Sequence, residues 1–219
     1  MKILAFDTAA RACSAALLED GRVLAERLRE MERGQAEALI GMIESVLEEG
    51  GVPFAELDRL ATTVGPGSFT GLRVGLAAVR AFALAGSLPT VGVTTFEAVA
   101  AAVPAPERRG RRVLVALDTK RGDLYAQFFD AALEPLGPGA VLSPEACLPE
   151  DAGLPLLVVG DGARLLRPLF ERWPGDVRWS VVPGYPQAAV IGRLAASRAP
   201  TIDMRPVYLR PPEARWPDA

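Results

Sequence analysis

Histidine is absent from this 219-residue sequence. Without an imidazole there is no serine–histidine–carboxylate triad and no histidine-held metal centre, although carboxylates could still hold magnesium. Cysteine is scarce as well: Cys13 and Cys147 show no metal-ligand spacing and are expected to be buried small hydrophobes rather than a bridge. Half of the residues are hydrophobic, yet no run of eighteen apolar residues occurs, and the opening Met1–Phe6 reaches Asp7 too soon for a signal peptide. A soluble, cytoplasmic chain with no membrane segment is expected. Positive charge is not in excess either, with 24 Lys and Arg against 27 Asp and Glu. Neither half is a basic platform for nucleic acid, so any tRNA contact is expected to run mainly through a larger complex. The arginines Arg108, Arg109, Arg111 and Arg112 precede a strand and are expected to form a solvated connector.

What is present centres on Gly65-Pro66-Gly67-Ser68-Phe69-Thr70-Gly71-Leu72-Arg73-Val74-Gly75. The apolar run from Leu60 to Val64 predicts a buried strand, the glycines a turn, and Ser68 the N-cap of a helix over 69–85 that Gly86 closes. That helix carries only Arg73 and Arg80 as charges, so it must be buried on most sides. Gly71, Gly75 and Ala78 share one face of it, small enough for another helix to approach closely. Whether that helix belongs to the same domain or to a partner stays open. A second helix over 35–49, ended by Gly50-Gly51, sets Glu37, Gly41, Glu44 and Glu48 opposite its apolar stripe. An exposed glycine there again leaves room for a partner.

Three strands, near Ile3–Phe6, Cys13–Leu18 and Val23–Glu26, open the chain. Thr94 and Glu97 form a capping box for a helix reaching Val103. The opening then recurs. Ile3-Leu4-Ala5-Phe6-Asp7-Thr8 matches Leu114-Val115-Ala116-Leu117-Asp118-Thr119, and Val64-Gly65-Pro66-Gly67 is echoed by Val159-Gly160-Asp161-Gly162. Helices over 163–172 and 187–197, a strand over 177–182 and a proline-rich tail lying on the surface complete the expected second copy. With Leu17-Leu18-Glu19-Asp20 answered by Phe128-Phe129-Asp130 between them, three echoes in one order predict an α/β chain of two β-β-β-α-β-α subdomains, 1–103 and 104–219. This is the duplicated RNase H-like architecture of actin, Hsp70 and sugar-kinase ATPases. Asp7, Thr8, Asp118 and the turns at Gly67, Ser68 and Gly162 would then flank a cleft able to meet a nucleotide and magnesium. The fit to a working ATPase is partial, because Ala9 and Ala10 stand where a glycine turn is needed and no G-x-x-x-x-G-K-[ST] loop occurs. The stand-alone ATPase or glycoprotease-like hydrolase is thus the alternative.

The eleven residues Gly65–Gly75 resemble the signature of the TsaB family of bacterial tRNA threonylcarbamoyladenosine biosynthesis proteins. Asp118 with Arg121–Tyr125, Val159–Ala163 and Pro206–Arg210 extend the likeness. The resemblance implies a non-catalytic partner of TsaD, the subunit that transfers threonylcarbamoyl to the tRNA adenosine beside the anticodon, with TsaE joining and a homodimer forming when TsaD is absent. It implies that helices 35–49 and 69–85 form a bundle with TsaD or a second copy. Gln35, Gly41, Gly71, Arg73, Gly75 and Ala78 would lie at that interface. It implies no resident metal, and ATP or ADP with magnesium only where subunits meet. Family members often carry His-Ser-Glu before the first helix; Gln35-Ala36-Glu37 stands here.

Overall fold

The computed structural model describes residues 1–201 and 203–210. The first sheet is built from β1 (Lys2–Ala10), β2 (Ala12–Glu19), β3 (Arg22–Glu30), β4 (Arg59–Gly65) and β5 (Thr90–Thr94), in the order β3-β2-β1-β4-β5. The first three strands pair antiparallel, and β4 and β5 add in parallel. β1 lies at the centre with Ile3–Ala9 buried, which is why it reads as a continuous apolar run rather than an alternating one.

Helices cover both faces of this sheet. On one face, α1 (Gln35–Gly50) and α2 (Phe69–Gly86) pack Leu39, Ile43, Val46, Leu76 and Val79 against Leu4, Phe6 and Leu17. On the other, α6 (Ala188–Ala196) brings Ala188, Ile191 and Ala195 onto Ile3, Ala5 and Leu18. Between them lies α3 (Thr95–Ala102), which has the predicted capping box, with Thr94 and Glu97 each accepting from the other's backbone N–H. It sends Ala98 into the α6 side of the first sheet and Phe96, Val99 and Ala100 toward the second sheet. The short α4 (Ala105–Arg108) leads out to the second sheet.

That second sheet has the order β10-β9-β6-β7-β8, from β6 (Arg112–Asp118), β7 (Leu124–Phe129), β8 (Ala140–Leu142), β9 (Leu156–Val159) and β10 (Val177–Trp179). Counted from the first strand of each copy, both sheets run 3-2-1-4-5 with the same three antiparallel and two parallel strands. α5 (Ala163–Phe170) covers its far face through Leu166 and Phe170. The molecule has the duplicated RNase H-like α/β fold.

Several expectations meet corrections. The division expected between residues 103 and 104 separates the strands of the two sheets but not their helices, since α6 returns to the first. The arginine connector is not a solvated one: Arg111 is 8% exposed and pairs with Asp176 at 2.7 Å, and Arg108 donates to the Ala131 carbonyl. The end of the chain is not a surface tail within the described residues. Thr201 N–H donates to Thr90 O, Val207 N–H donates to Val64 O at 2.7 Å, and Met204 is buried in the first core. Val207 joins that core and Leu209 the second, so apolar residues at every second or third position turn the tail into a strap. Pro211, Pro212 and Pro217 lie outside the described residues.

Candidate functional site

A cleft of about 770 Å³ opens between the two sheets. One wall carries Ala9, Arg11, Gln35, Gly67, Ser68 and Phe69, the other Asp118, Lys120, Tyr125 and Asp161, with Tyr208 and Arg210 of the strap at the edge and Thr95 of α3 among the lining residues. The duplication thus brings Gly67, Ser68 and Asp118 to one place, as expected, with Gln35 at the same cleft rather than on an outer helix face. It does not deliver the expected chemistry.

Asp7 turns inward. It is fully buried, accepts from Thr63 Oγ1 and from the Ala9 N–H at 3.2 Å, and lies away from the cleft lining. Burial pushes its carboxyl up to about 7 against the hydrogen bonds from Thr63, Ala9 and Thr8 that favour the carboxylate. Asp118 is in the cleft, but its carboxylate is spoken for. It accepts from the Lys120 N–H at 2.7 Å, from Lys120 Nζ at 3.0 Å and from Arg164. Burial works to raise this carboxyl, and those three donors outweigh it, holding it below the usual value. One aspartate buried without a cation and one neutralised by two do not make a magnesium site. Among the described residues no group of three or more carboxylate or thiol side chains could hold a metal ion.

The two glycine turns also spend backbone N–H groups within the chain. Gly162 N–H donates to Ala116 O at 3.0 Å, Asp161 N–H to Gly184 O at 3.2 Å, and Ser68 N–H to Ala9 O at 2.8 Å. Gly67 is required because a Cβ there would strike Ala9, only 3.1 Å from its Cβ. Two of these amides tie the turns to the first strand of each sheet and the third ties its turn to the loop at Gly184.

The second candidate is the outer surface of α1 and α2, and here the expectation divides. Gly71 and Gly75 do not face outward: a Cβ at Gly71 would collide with the Thr8 carbonyl, and one at Gly75 would sit 2.9 Å from Thr8 Oγ1. Thr8 seals the contact by donating Oγ1–H to Gly71 O at 2.7 Å. These glycines exist for the approach of α2 to β1, inside the chain. The error is one of phase. The apolar stripe of α2 is so broad that a single chain of 3.6-residue periodicity does not say which side meets the sheet. Ala78 is half-buried against the first core. Gly41, in contrast, is exposed with open space around it.

The exposed sides of the two helices are mixed, with Glu37, Glu44 and Glu48 on α1 and Arg73 and Arg80 on α2 standing among apolar residues. They also carry Ile40 and Gly41 on α1 and Ala77, Ala81, Leu84 and Ala85 on α2, with Leu84 85% exposed. α2 is long and apolar enough by length and composition to cross a bilayer, but Gly71, Leu72, Gly75, Leu76 and Val79 pack against the sheet. Arg73 stacks over Phe69, its guanidinium carbon 3.8 Å from the ring centroid, and so braces the residue that follows the Gly65–Ser68 turn.

Sequence reasoning missed Thr95 and Arg11 at the cleft, and it named Phe69 and the strap residues Tyr208 and Arg210 only as parts of the family likeness. Tyr208 stacks on Phe69 with ring centroids 5.6 Å apart, and Arg210 pairs with Asp123 of the opposite sheet. Their signal was the apolar and aromatic spacing inside a proline-rich tail, which composition alone hides.

The comparisons agree with this architecture. The family model described as TsaD: tRNA N6-adenosine threonylcarbamoyltransferase matches residues 25–152. The chain is 38% identical over 126 residues to the tRNA threonylcarbamoyladenosine biosynthesis protein TsaB of Escherichia coli (strain K12), covering 57% of this chain and 53% of that protein. Its matches to TsaB proteins of this kind thus span about half the length of those relatives. The crystal structure of a Pseudomonas aeruginosa protein with similarity to peptidase YEAZ superposes with a TM-score of 0.82 at 30% identity, covering 95% of this chain and 99% of that one. At the level of fold alone, the ethanolamine utilization protein EutJ of Carboxydothermus hydrogenoformans superposes with a TM-score of 0.51 at 14% identity, covering 89% and 90%. With more than half of the chain inside the family model and nearly all of it superposed on a relative at 30% identity, the chain belongs to the TsaB (YeaZ) family.

Proposed function

We propose that this chain is a non-catalytic subunit of the cytoplasmic machinery that makes threonylcarbamoyladenosine in tRNA, and that the exposed face of α1 and α2 seats the TsaD-type catalytic subunit. The observation that carries the reading is that face itself. Leu84 is 85% exposed and Ile40 45% exposed, flanked by Gly41, Ala77 and Ala81. Large exposed apolar side chains gathered on two long helices are the kind of surface that a partner covers. The half-buried Ala78 forms its inner edge, and Arg73 is exposed beside it on α2. The buried Asp7 and neutralised Asp118 support the non-catalytic part. A second copy would cover the same face when TsaD is absent, and TsaE would join the assembled pair.

The substitution Leu84→Arg tests this directly. It places a charge on the face without touching the core, so the isolated chain should melt within about 0.5 kcal/mol of the parent. Co-purification with TsaD should be lost, and with it the gain in threonylcarbamoyladenosine when the chain is added to TsaD, TsaC and TsaE. Undiminished complex formation would remove the docking face. Turnover by the pure chain that disappears in Asp118→Asn would replace the scaffold reading with that of a stand-alone enzyme.

A further inference from the structure

The magnesium expected from the duplicated fold does not fit this chain, and the second half shows what stands in its stead. Asp118 closes β6 and Asp161 lies in the turn after β9, and the Asp118 N–H joins them by donating to Asp161 Oδ1 at 2.9 Å. The side chain of Asp118 is 2% exposed and that of Asp161 23%. Two carboxylates drawn together out of water repel each other unless positive charge is placed beside them. A divalent cation, which seeks oxygen ligands, is one way to supply it.

Here the positive charge is covalently attached. Lys120 Nζ lies 3.0 Å from Asp118 Oδ2 and 3.8 Å from Asp161 Oδ2. Arg164, from the first turn of α5, donates to Asp118 Oδ2 as well. Two monovalent cations thus stand against two carboxylates, and together they bring the charge of one divalent ion.

The backbone is bent to deliver the ammonium. Lys120 has a φ of 64°, left-handed and unfavourable for a long side chain, and its N–H donates to Asp118 Oδ1 at 2.7 Å, which folds the residue back over its own aspartate. The duplication provides the comparison. Asp7, Thr8 and Ala9 stand in the first half where Asp118, Thr119 and Lys120 stand in the second. Ala9 N–H makes the corresponding bond to Asp7 Oδ2 at 3.2 Å, but Ala9 is not among the residues of positive φ. Where there is no ammonium to place, the left-handed bend is missing.

We infer that the Lys120 ammonium, seconded by the Arg164 guanidinium, occupies the position of a divalent cation in the second half, and that Asp118 and Asp161 beneath it form a latent cation site that opens when Lys120 loses its charge. Magnesium is held in many sites by one or two carboxylates and retained waters, so two are enough once the ammonium is gone. A tethered cation cannot be drawn off by a chelator. The folded chain is therefore indifferent to divalent ions, whether or not its helices seat TsaD.

The test is thermal unfolding of the full chain at low ionic strength, in EDTA, in millimolar magnesium or manganese chloride, and in sodium chloride of matched ionic strength. The parent should melt alike in EDTA and in magnesium. Lys120→Met keeps the length and the backbone bend but removes the charge, and should lower the midpoint in EDTA by about 2 °C or more. Magnesium or manganese should restore most of that loss, and sodium chloride should not. Lys120→Arg, which keeps the charge, should melt as the parent does. Calorimetry should find manganese bound to Lys120→Met about tenfold tighter or more than to the parent, the scale of one charged contact, and Asp118→Asn in the same chain should abolish it. A parent stabilised by magnesium as much as the variant, Lys120→Met melting with the parent, a variant that both divalent ions leave unchanged, rescue by sodium chloride, or binding that survives Asp118→Asn would each overturn the inference. Every readout is of the isolated chain, so this inference and the docking of TsaD fail separately.

Discussion

Asp7 shows how far a single residue can depart from its motif. By sequence it closes the first apolar strand as Asp118 closes β6, and the repeat gives both the same expectation. In the fold, Asp118 meets Lys120 and Arg164, while Asp7, among the described residues, accepts from Thr63 and two backbone N–H groups. No pattern in the chain reveals that difference, because it depends on which side chains the second wall supplies. Its consequence is measurable. The folded-state value near 7 lies above the ordinary 3.8, so between about pH 4 and pH 7 the folded chain holds a proton that the unfolded chain has released. Asp7 therefore makes stability fall as pH rises through that window, by up to about 1.4 kcal/mol per pH unit. Denaturant unfolding across pH 4–8 should show this component in the parent and not in Asp7→Asn. Parallel curves for the two would refute it.

At the scale of elements, the sequence specified α2 well and oriented it badly. Its start at Phe69, the Ser68 cap and the end at Gly86 were all legible, because caps and glycines act locally. Which face meets the sheet is decided by β1, sixty residues away. α1 was oriented in part: Leu39, Ile43 and Val46 of its apolar stripe are buried, while Ala36 and Ile40, read into the same stripe, are exposed. The third strand of the second sheet, β8, was missed because only three residues follow a Gly- and Pro-rich turn, too few for a period to register. Two glycine substitutions separate the helices' roles. Gly71→Ala drives a methyl into the Thr8 carbonyl and should cost about 1 to 3 kcal/mol or more in urea unfolding. Gly41→Ala meets nothing and should stabilise the isolated chain by up to about 1 kcal/mol. Equal effects at the two sites would mean that α2 is not seated on β1 as described.

At the scale of the molecule, the duplicated sheets were legible from three echoes in one order, but the way the halves are tied together was not. α6 and the strap carry late sequence back to the first sheet, and long-range returns leave no periodic trace. The strap is structural: Arg80 donates to Met204 O at 2.6 Å, Met204 fills the first core, and Arg210 crosses to Asp123 of the second sheet. Met204→Ala should accordingly cost about 2 to 4 kcal/mol and lower the thermal midpoint as one cooperative step. A loss under about 0.5 kcal/mol would return this segment to the surface.

The docking of Val207 on Val64 has a consequence for how the protein comes into being. The ribosome releases the first sheet early, but the residues that close over it are made more than a hundred positions later. Until they emerge, Val64, Gly92 and the floor of Met204's pocket face water, and the nascent chain must wait for residues 204–207 before the first half can be finished.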